Sequence, residues 1–165
     1  MKKIDIVQRQ KDCNTLLTEA KTMMISSLDE QGEPFLSYSP FIFSDGKFYI
    51  YISKISEHYG YIVAHPQVTI MALRDEEASP NLFARERLRY SCRAEIVAEA
   101  KHEHIFQQFN EQHGKAMLDV LRGLDFSLFA LTPTEGRYVV GFGLAFDLHI
   151  ADESFTHVVI AQATK

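Results

Sequence analysis

Four arginines recur at one parity in the stretch Asn81–Val97, NLFARERLRYSCRAEIV: Arg85, Arg87, Arg89 and Arg93. Leu88, Tyr90, Cys92, Ala94 and Ile96 fall on the other. Successive side chains of a strand point to opposite faces, so the spacing predicts a strand with one apolar face and one cationic face. A planar guanidinium can donate two parallel hydrogen bonds to a carboxylate or phosphate, so such a ladder suits an anionic ligand. The same pattern also describes an ordinary solvent-facing strand with Glu95 as its in-plane partner. A second group able to do chemistry is Ser53, Ser56 and His58, placed where an expected strand feeds a short helix. Helix N-termini attract anions through unpaired backbone N–H groups, and Ser56 also suits a plain N-cap.

The other histidines read as structural. His102 and His104 are two apart on an expected helix and do not share a face, so with Glu103 and His113 they form no metal set. His149 and His157 stand alone. HExxH, GxSxG, P-loop and GxGxxG patterns are absent. No self-contained catalytic machine is written in the side chains, so an enzyme built on this chain would rely on a bound cofactor for its hard step.

The elements that position these groups follow from apolar spacing and punctuation. Ile4–Lys21 reads as a helix with a partial apolar stripe, suited to late packing on a sheet or to a partner subunit. Thr22–Leu28, Phe35–Phe43 and Lys47–Ser53 read as three strands of an antiparallel meander, with Pro40 marking a bulge or an edge. Ser56–Ala64 reads as a short helix and Gln67–Arg74 as a fourth strand. A helical stretch over 100–121, broken near Gly114, precedes a strand Phe126–Leu131 that Pro133 stops. Arg137–Gly141 and Leu144–Ile150 read as two further strands. Many short strands with inserted helices favour a mainly β barrel, closed on itself, over a wound parallel sheet.

At 165 residues the chain is expected to form one domain: a helix over 1–21, a barrel over 22–150 with a helical insertion at 100–122, and a tail over 151–165. The net charge of -5 argues against nucleic acid or a membrane surface as partner. No apolar run approaches the roughly 20 residues that cross a bilayer. The opening MKKIDIVQRQKD lacks the apolar centre of a secretion signal, and Cys13 and Cys92 form no paired motif. A cytoplasmic protein with reduced thiols is the expectation.

Four stretches carry a resemblance: GEPFLSYSPFIF (Gly32–Phe43), SEHYGYIVAHPQVTIM (Ser56–Met71), LFARERLRY (Leu82–Tyr90) and RYVVGFGLAF (Arg137–Phe146). In this order they resemble the FMN-binding split-barrel superfamily, which includes pyridoxamine-phosphate oxidases. More closely they resemble its bacterial haem-utilisation branch. The resemblance implies a six-stranded antiparallel split β-barrel with added helices, forming a homodimer with ligand sites at the interface. It assigns Arg85 and Arg87 to haem propionates, His58 to the short-helix histidine, and Asp125 to an acidic residue supporting the haem ligand. The branch takes its axial ligand from a C-terminal Gly-His-basic stretch. This chain ends THVVIAQATK, with Gln162 or Ala163 near that position, which leaves His58 or His157 as the substitute iron ligand. Flavin-binding members carry a Ser-Arg-Lys-like triplet where this chain has Ser56-Glu57-His58; under that reading Ser53, Ser56 and His58 lie near the FMN phosphate. Three functions stand open: a haem-binding protein for haem breakdown or storage, an FMN-dependent oxidoreductase, and a binding module that has lost its cofactor.

Overall fold

The computed structural model describes residues 4–159. Helix α1 (Ile6–Glu19) starts at Asp5, whose carboxylate accepts the Gln8 N–H at 3.0 Å, a side-chain N-cap. Only Cys13, Leu16 and Leu17 of α1 are buried, the narrow stripe that the apolar spacing implies. There follow β1 (Thr22–Leu28), β2 (Pro34–Pro40), β3 (Ile42–Ser44), β4 (Lys47–Ser53), α2 (Glu57–Ala64), β5 (Gln67–Leu73) and β6 (Arg87–Ile96). Then come α3 (His102–His113), α4 (Lys115–Arg122), β7 (Phe126–Gly141), β8 (Leu144–His149) and β9 (Ser154–His157).

The strand pairings close a ring. All are antiparallel: β1 with β2, β3 with β4, β4 with β7, β7 with β6, β6 with β5, and β5 with β1. Since β2 and β3 are two halves of one bent strand, this is the six-stranded split barrel. β8 and β9 extend it from the far half of β7. The stretch expected as one strand over 35–43 is therefore divided. At Pro40, which has no N–H to give, the chain leaves β1 for β4. Phe41 is the corner: its N–H donates to Lys21 O at 3.1 Å, and its carbonyl accepts from Gln112 Nε2 at 3.0 Å and His113 Nε2 at 2.9 Å. The helical insertion is thus tied to the point where the barrel splits.

Two further expectations need correction. Pro133 does not stop a strand; β7 runs unbroken through it. On one side β4 pairs only with Phe126–Leu131 and β8 only from Glu135 onward, so Pro133 sits in the gap where no partner needs its N–H. On the other side a bulge at Ser91/Cys92 absorbs the extra residue Thr134. Second, β6 begins at Arg87, not at Asn81, and its apolar face ends at Ala94, because Ile96 is 55% exposed.

One core fills the barrel, with Ile25, Ile50, Leu88 and Leu131 fully buried and α1 closing one side. A second lies outside the barrel wall, where Ile105, Phe106, Phe109 and Leu118 of α3 and α4 cover Tyr49 and Leu128. Fully burying a Phe is worth roughly 1.5–3 kcal/mol, enough for two of them to fasten the insertion.

Candidate functional site

The sequence's candidate residues fall at two ends of the barrel. At the first, Asn81 Oδ1 accepts the Phe83 N–H at 3.0 Å and starts a single 3-10 turn, Leu82–Ala84. Arg85 follows it, off the strand. Its Nε donates to the Arg74 carbonyl at 2.6 Å and its Nη1 to Glu76 at 3.0 Å. Arg87 opens β6 half-buried, and its Nη1 donates to the Arg85 carbonyl at 3.0 Å. Among the described residues no carboxylate pairs with Arg87, so its charge is available to a ligand, whereas that of Arg85 is already met by Glu76. Arg89 and Arg93 are exposed further along β6. The ladder is thus three arginines on the strand and one at its entrance.

Between Arg85 and Arg87, Glu86 turns inward. It accepts from Arg74 Nε at 2.7 Å and from the Tyr138 hydroxyl, while Arg74 also pairs with Glu19 of α1. Tyr138 is fully buried, and burial, followed by its bond to Glu86, raises its phenol above the ordinary range. This network fixes the backbone that presents both arginines and pins α1 to it. The signal was present in the sequence: Glu86 shares the parity of Leu88, and an acid on an apolar face requires a cation and a donor. Beside the network lies a cleft of about 330 Å³ whose lining includes Arg74, Ser79, Asn81, Arg85 and Val140.

His157 ends the cross-strand row Leu88–Tyr138–Phe146–His157, so it lies on the apolar face of the sheet, opposite the face that carries Arg87. Its ring lies 5.3 Å from that of Phe146, and its Nε2 is 3.0 Å from the Gly143 carbonyl. A carbonyl can only accept, so the proton sits on Nε2 and the lone pair on Nδ1. An imidazole whose other nitrogen donates to a backbone carbonyl is oriented as metal-ligating histidines are. Gln162 and Ala163 lie outside the described residues.

At the second end, Ser53 closes β4 and donates from Oγ to Asp125 Oδ1 at 3.0 Å. The Lys54 N–H bonds the Asp125 carbonyl at 2.9 Å. Ser56 is the N-cap residue of α2, yet its hydroxyl donates backward to the Ser53 carbonyl at 2.6 Å and caps no helical N–H. His58 is half-buried, and burial holds its pKa below the ordinary histidine value. Ser53, Ser56 and Asp125 therefore form one connected turn, with Lys54 as a neighbouring cation that the sequence reading had not singled out. The two ends lie thirteen residues apart along β7, since Ser53 pairs with Phe126 and Arg87 with Val139, a contour of at most about 43 Å at about 3.3 Å per residue.

Three of the other histidines make backbone or side-chain bonds. His102 Nε2 lies 2.8 Å from Val97 O, His104 Nε2 lies 3.0 Å from Gln108, and His113 holds the Phe41 carbonyl. Cys13 and Cys92 are both buried and free, with burial pushing each thiol up to about 12. Among the described helices none is long and apolar enough to cross a membrane.

Comparison with known proteins matches residues 10–140 to the family model described as pyridoxamine 5'-phosphate oxidase. Haem oxygenase HutZ of Vibrio cholerae is 35% identical over 134 residues, covering 79% of this chain and 75% of that one. The crystal structure of Campylobacter jejuni ChuZ superposes with a TM-score of 0.86 at 31% identity over 94% of this chain; the chain spans 64% of ChuZ. A crystal structure of HutZ, titled as the haem storage protein from Vibrio cholerae, gives a TM-score of 0.69 at 34% identity, covering 75% of this chain and 89% of that one.

Proposed function

The chain belongs to the pyridoxamine 5'-phosphate oxidase family, and we propose that within it this protein binds haem, as a homodimer, at the arginine end of the barrel. The observation that carries this reading is Arg87, a half-buried guanidinium with no carboxylate partner among the described residues. His157, on the other face of the sheet, is the candidate imidazole, with its Nε2 anchored at 3.0 Å. A propionate and an iron are the two groups of haem that call for a cation and an imidazole. The relatives named for haem point the same way.

A homodimer is part of the reading because Asp125, Ser53 and His58 lie at the far end of the same chain. Two copies related by a two-fold axis would bring the unlike ends together. Haem, when bound, would supply the redox and oxygen chemistry that no side-chain set here provides. The protein's own part is to pair the propionates through Arg87, whose backbone the Glu86–Arg74–Tyr138 network fixes, with His157 as the candidate iron ligand.

The flavin reading lacks its basic triplet. The first turn of α2 carries Glu57, and a carboxylate there opposes a phosphate dianion. The test is an absorption titration of the purified protein with haem and with FMN. One haem per chain with a saturable Soret band is the expected result. Arg87→Ala should weaken uptake by 10- to 100-fold, the equivalent of about 1.5–3 kcal/mol for a charge-assisted hydrogen bond. His157→Ala should remove the histidine-type Soret position. Flavin bands retained through desalting would replace the haem reading with an oxidoreductase. Uptake of neither would leave a binding module without cofactor. The haem complex, given a reductant and oxygen, then separates breakdown, in which the Soret band disappears, from storage, in which it persists.

A further inference from the structure

The barrel wall carries a second cleft, of about 450 Å³, away from the arginine end. It opens where β1 and β5 part. Their pairing covers Met24–Ser26 against Thr69–Met71, after which Ser27 and Leu28 separate from Gln67 and Val68. The Ser91/Cys92 bulge of β6 forms its floor. The side chains that matter are those of Ser26, Gln67, Thr69, Ser91 and Arg93, which share the outer face. Cross-strand register places Ser26 beside Thr69, Thr69 beside Ser91, and Gln67 beside Arg93. The lining is therefore two adjacent rows, one of hydroxyls and one of an amide and a guanidinium.

Two observations mark this as a site and not merely a polar surface. The hydroxyls of Ser26, Thr69 and Ser91 stand in one cross-strand row on the face that also carries Arg93. The charge is also one-sided. Among the described residues no carboxylate lines the cleft. Glu95, the nearest acid along β6 on the Arg93 face, is held by Lys47 at 2.8 Å.

We propose that this cleft binds the phosphate group of a small molecule, with Arg93 as its countercharge and the hydroxyls of Ser26, Thr69 and Ser91 as donors. A tetrahedral oxyanion accepts several hydrogen bonds at once, which matches converging hydroxyls better than a planar carboxylate does. The volume exceeds that of a bare ion and leaves room for an organic body. The site stands independently of which cofactor occupies the arginine end.

The experiment is a calorimetric titration of the full chain at low ionic strength with inorganic phosphate and, separately, glycerol 3-phosphate. Saturable binding of one equivalent per chain is expected, and the tighter titrant identifies a free or an esterified phosphate as the ligand. Arg93→Gln, at an exposed position, should weaken binding at least ten-fold. Thr69→Val, in the hydroxyl row, should weaken it several-fold, whereas Ser27→Ala, on the core face, should leave it unchanged. Arg87→Ala should leave it unchanged. Failure of both titrants to bind, or binding indifferent to Arg93→Gln, overturns the proposal. Loss of binding in Arg87→Ala also overturns it, because the phosphate would then sit at the arginine end.

Discussion

The two ends of the barrel use similar polar residues in different ways. At the arginine end the charges are half-buried and over-determined: Arg74 is shared by Glu19 and Glu86, Glu86 by Arg74 and Tyr138, and Arg85 by Glu76 and a backbone carbonyl. At the serine end Ser53, Ser56 and Asp125 are joined by neutral or singly charged bonds at the surface. A network in a poorly solvated setting resists reorganisation, because each lost partner leaves another group unpaired. A surface turn has water as a ready substitute. The first end is built to hold a geometry and the second to be remade on contact. Within the first end the same contrast separates neighbours: Arg85 is consumed by structure and Arg87 is left free.

The largest expected effect tests the network. Glu86→Ala strands Arg74 and the Tyr138 hydroxyl together and should cost about 3 kcal/mol, read from the denaturation midpoint. A change below about 1 kcal/mol would mean that the arginine end is no more rigid than the serine end. Next is Gly136→Ala. A Cβ there would meet the Tyr90 ring at 2.6 Å and the Arg89 carbonyl at 2.9 Å, so overpacking of about 1–3 kcal/mol should follow. Arg85→Ala against Arg87→Ala sharpens the contrast between neighbours: the first should lower the melting temperature with a smaller effect on haem uptake, the second the reverse. Equal effects on both readouts would erase the distinction. The smallest effect is Lys47→Ala on the exposed wall, at most about 0.5 kcal/mol. Its hydrogen bond holds the Glu95 carboxyl below its ordinary 4.5. The folded pKa is the lower one, so this contribution is present at neutral pH and lost as acid protonates Glu95. His58 behaves in the opposite sense to a paired histidine. Its pKa is lowered by burial, so the unfolded chain takes up the proton first, and stability falls as pH drops through the ordinary histidine range.

Much of the barrel was legible. β1 and β4 lie at the residues that alternation gives, α2 begins one residue after Ser56, and Gly114 separates α3 from α4 at a φ of 92°. Those features rest on local rules: period, punctuation and glycine's access to positive φ. The misreadings share a cause. Pro40 and Pro133 were judged by what proline does to a strand in general, while the outcome depended on which neighbour each would have bonded. Pro40 split a strand because two different partners lay on either side of it. Pro133 split nothing because, on one side, no partner lay there.

The candidate site divides along the same line. The sequence by itself determined that a cationic face would run along β6 and that it would oppose an apolar one. Residue type and period decide those matters within a few positions of chain. Only the tertiary structure decided which arginine remained free, because that depends on Glu76 and Arg74 arriving from a different segment. It likewise set His157 three strand pairings away on the face opposite Arg87, and Asp125 at the other end of the barrel. Long-range pairing chooses neighbours that no local pattern encodes, and a charge is available or spent according to its neighbours.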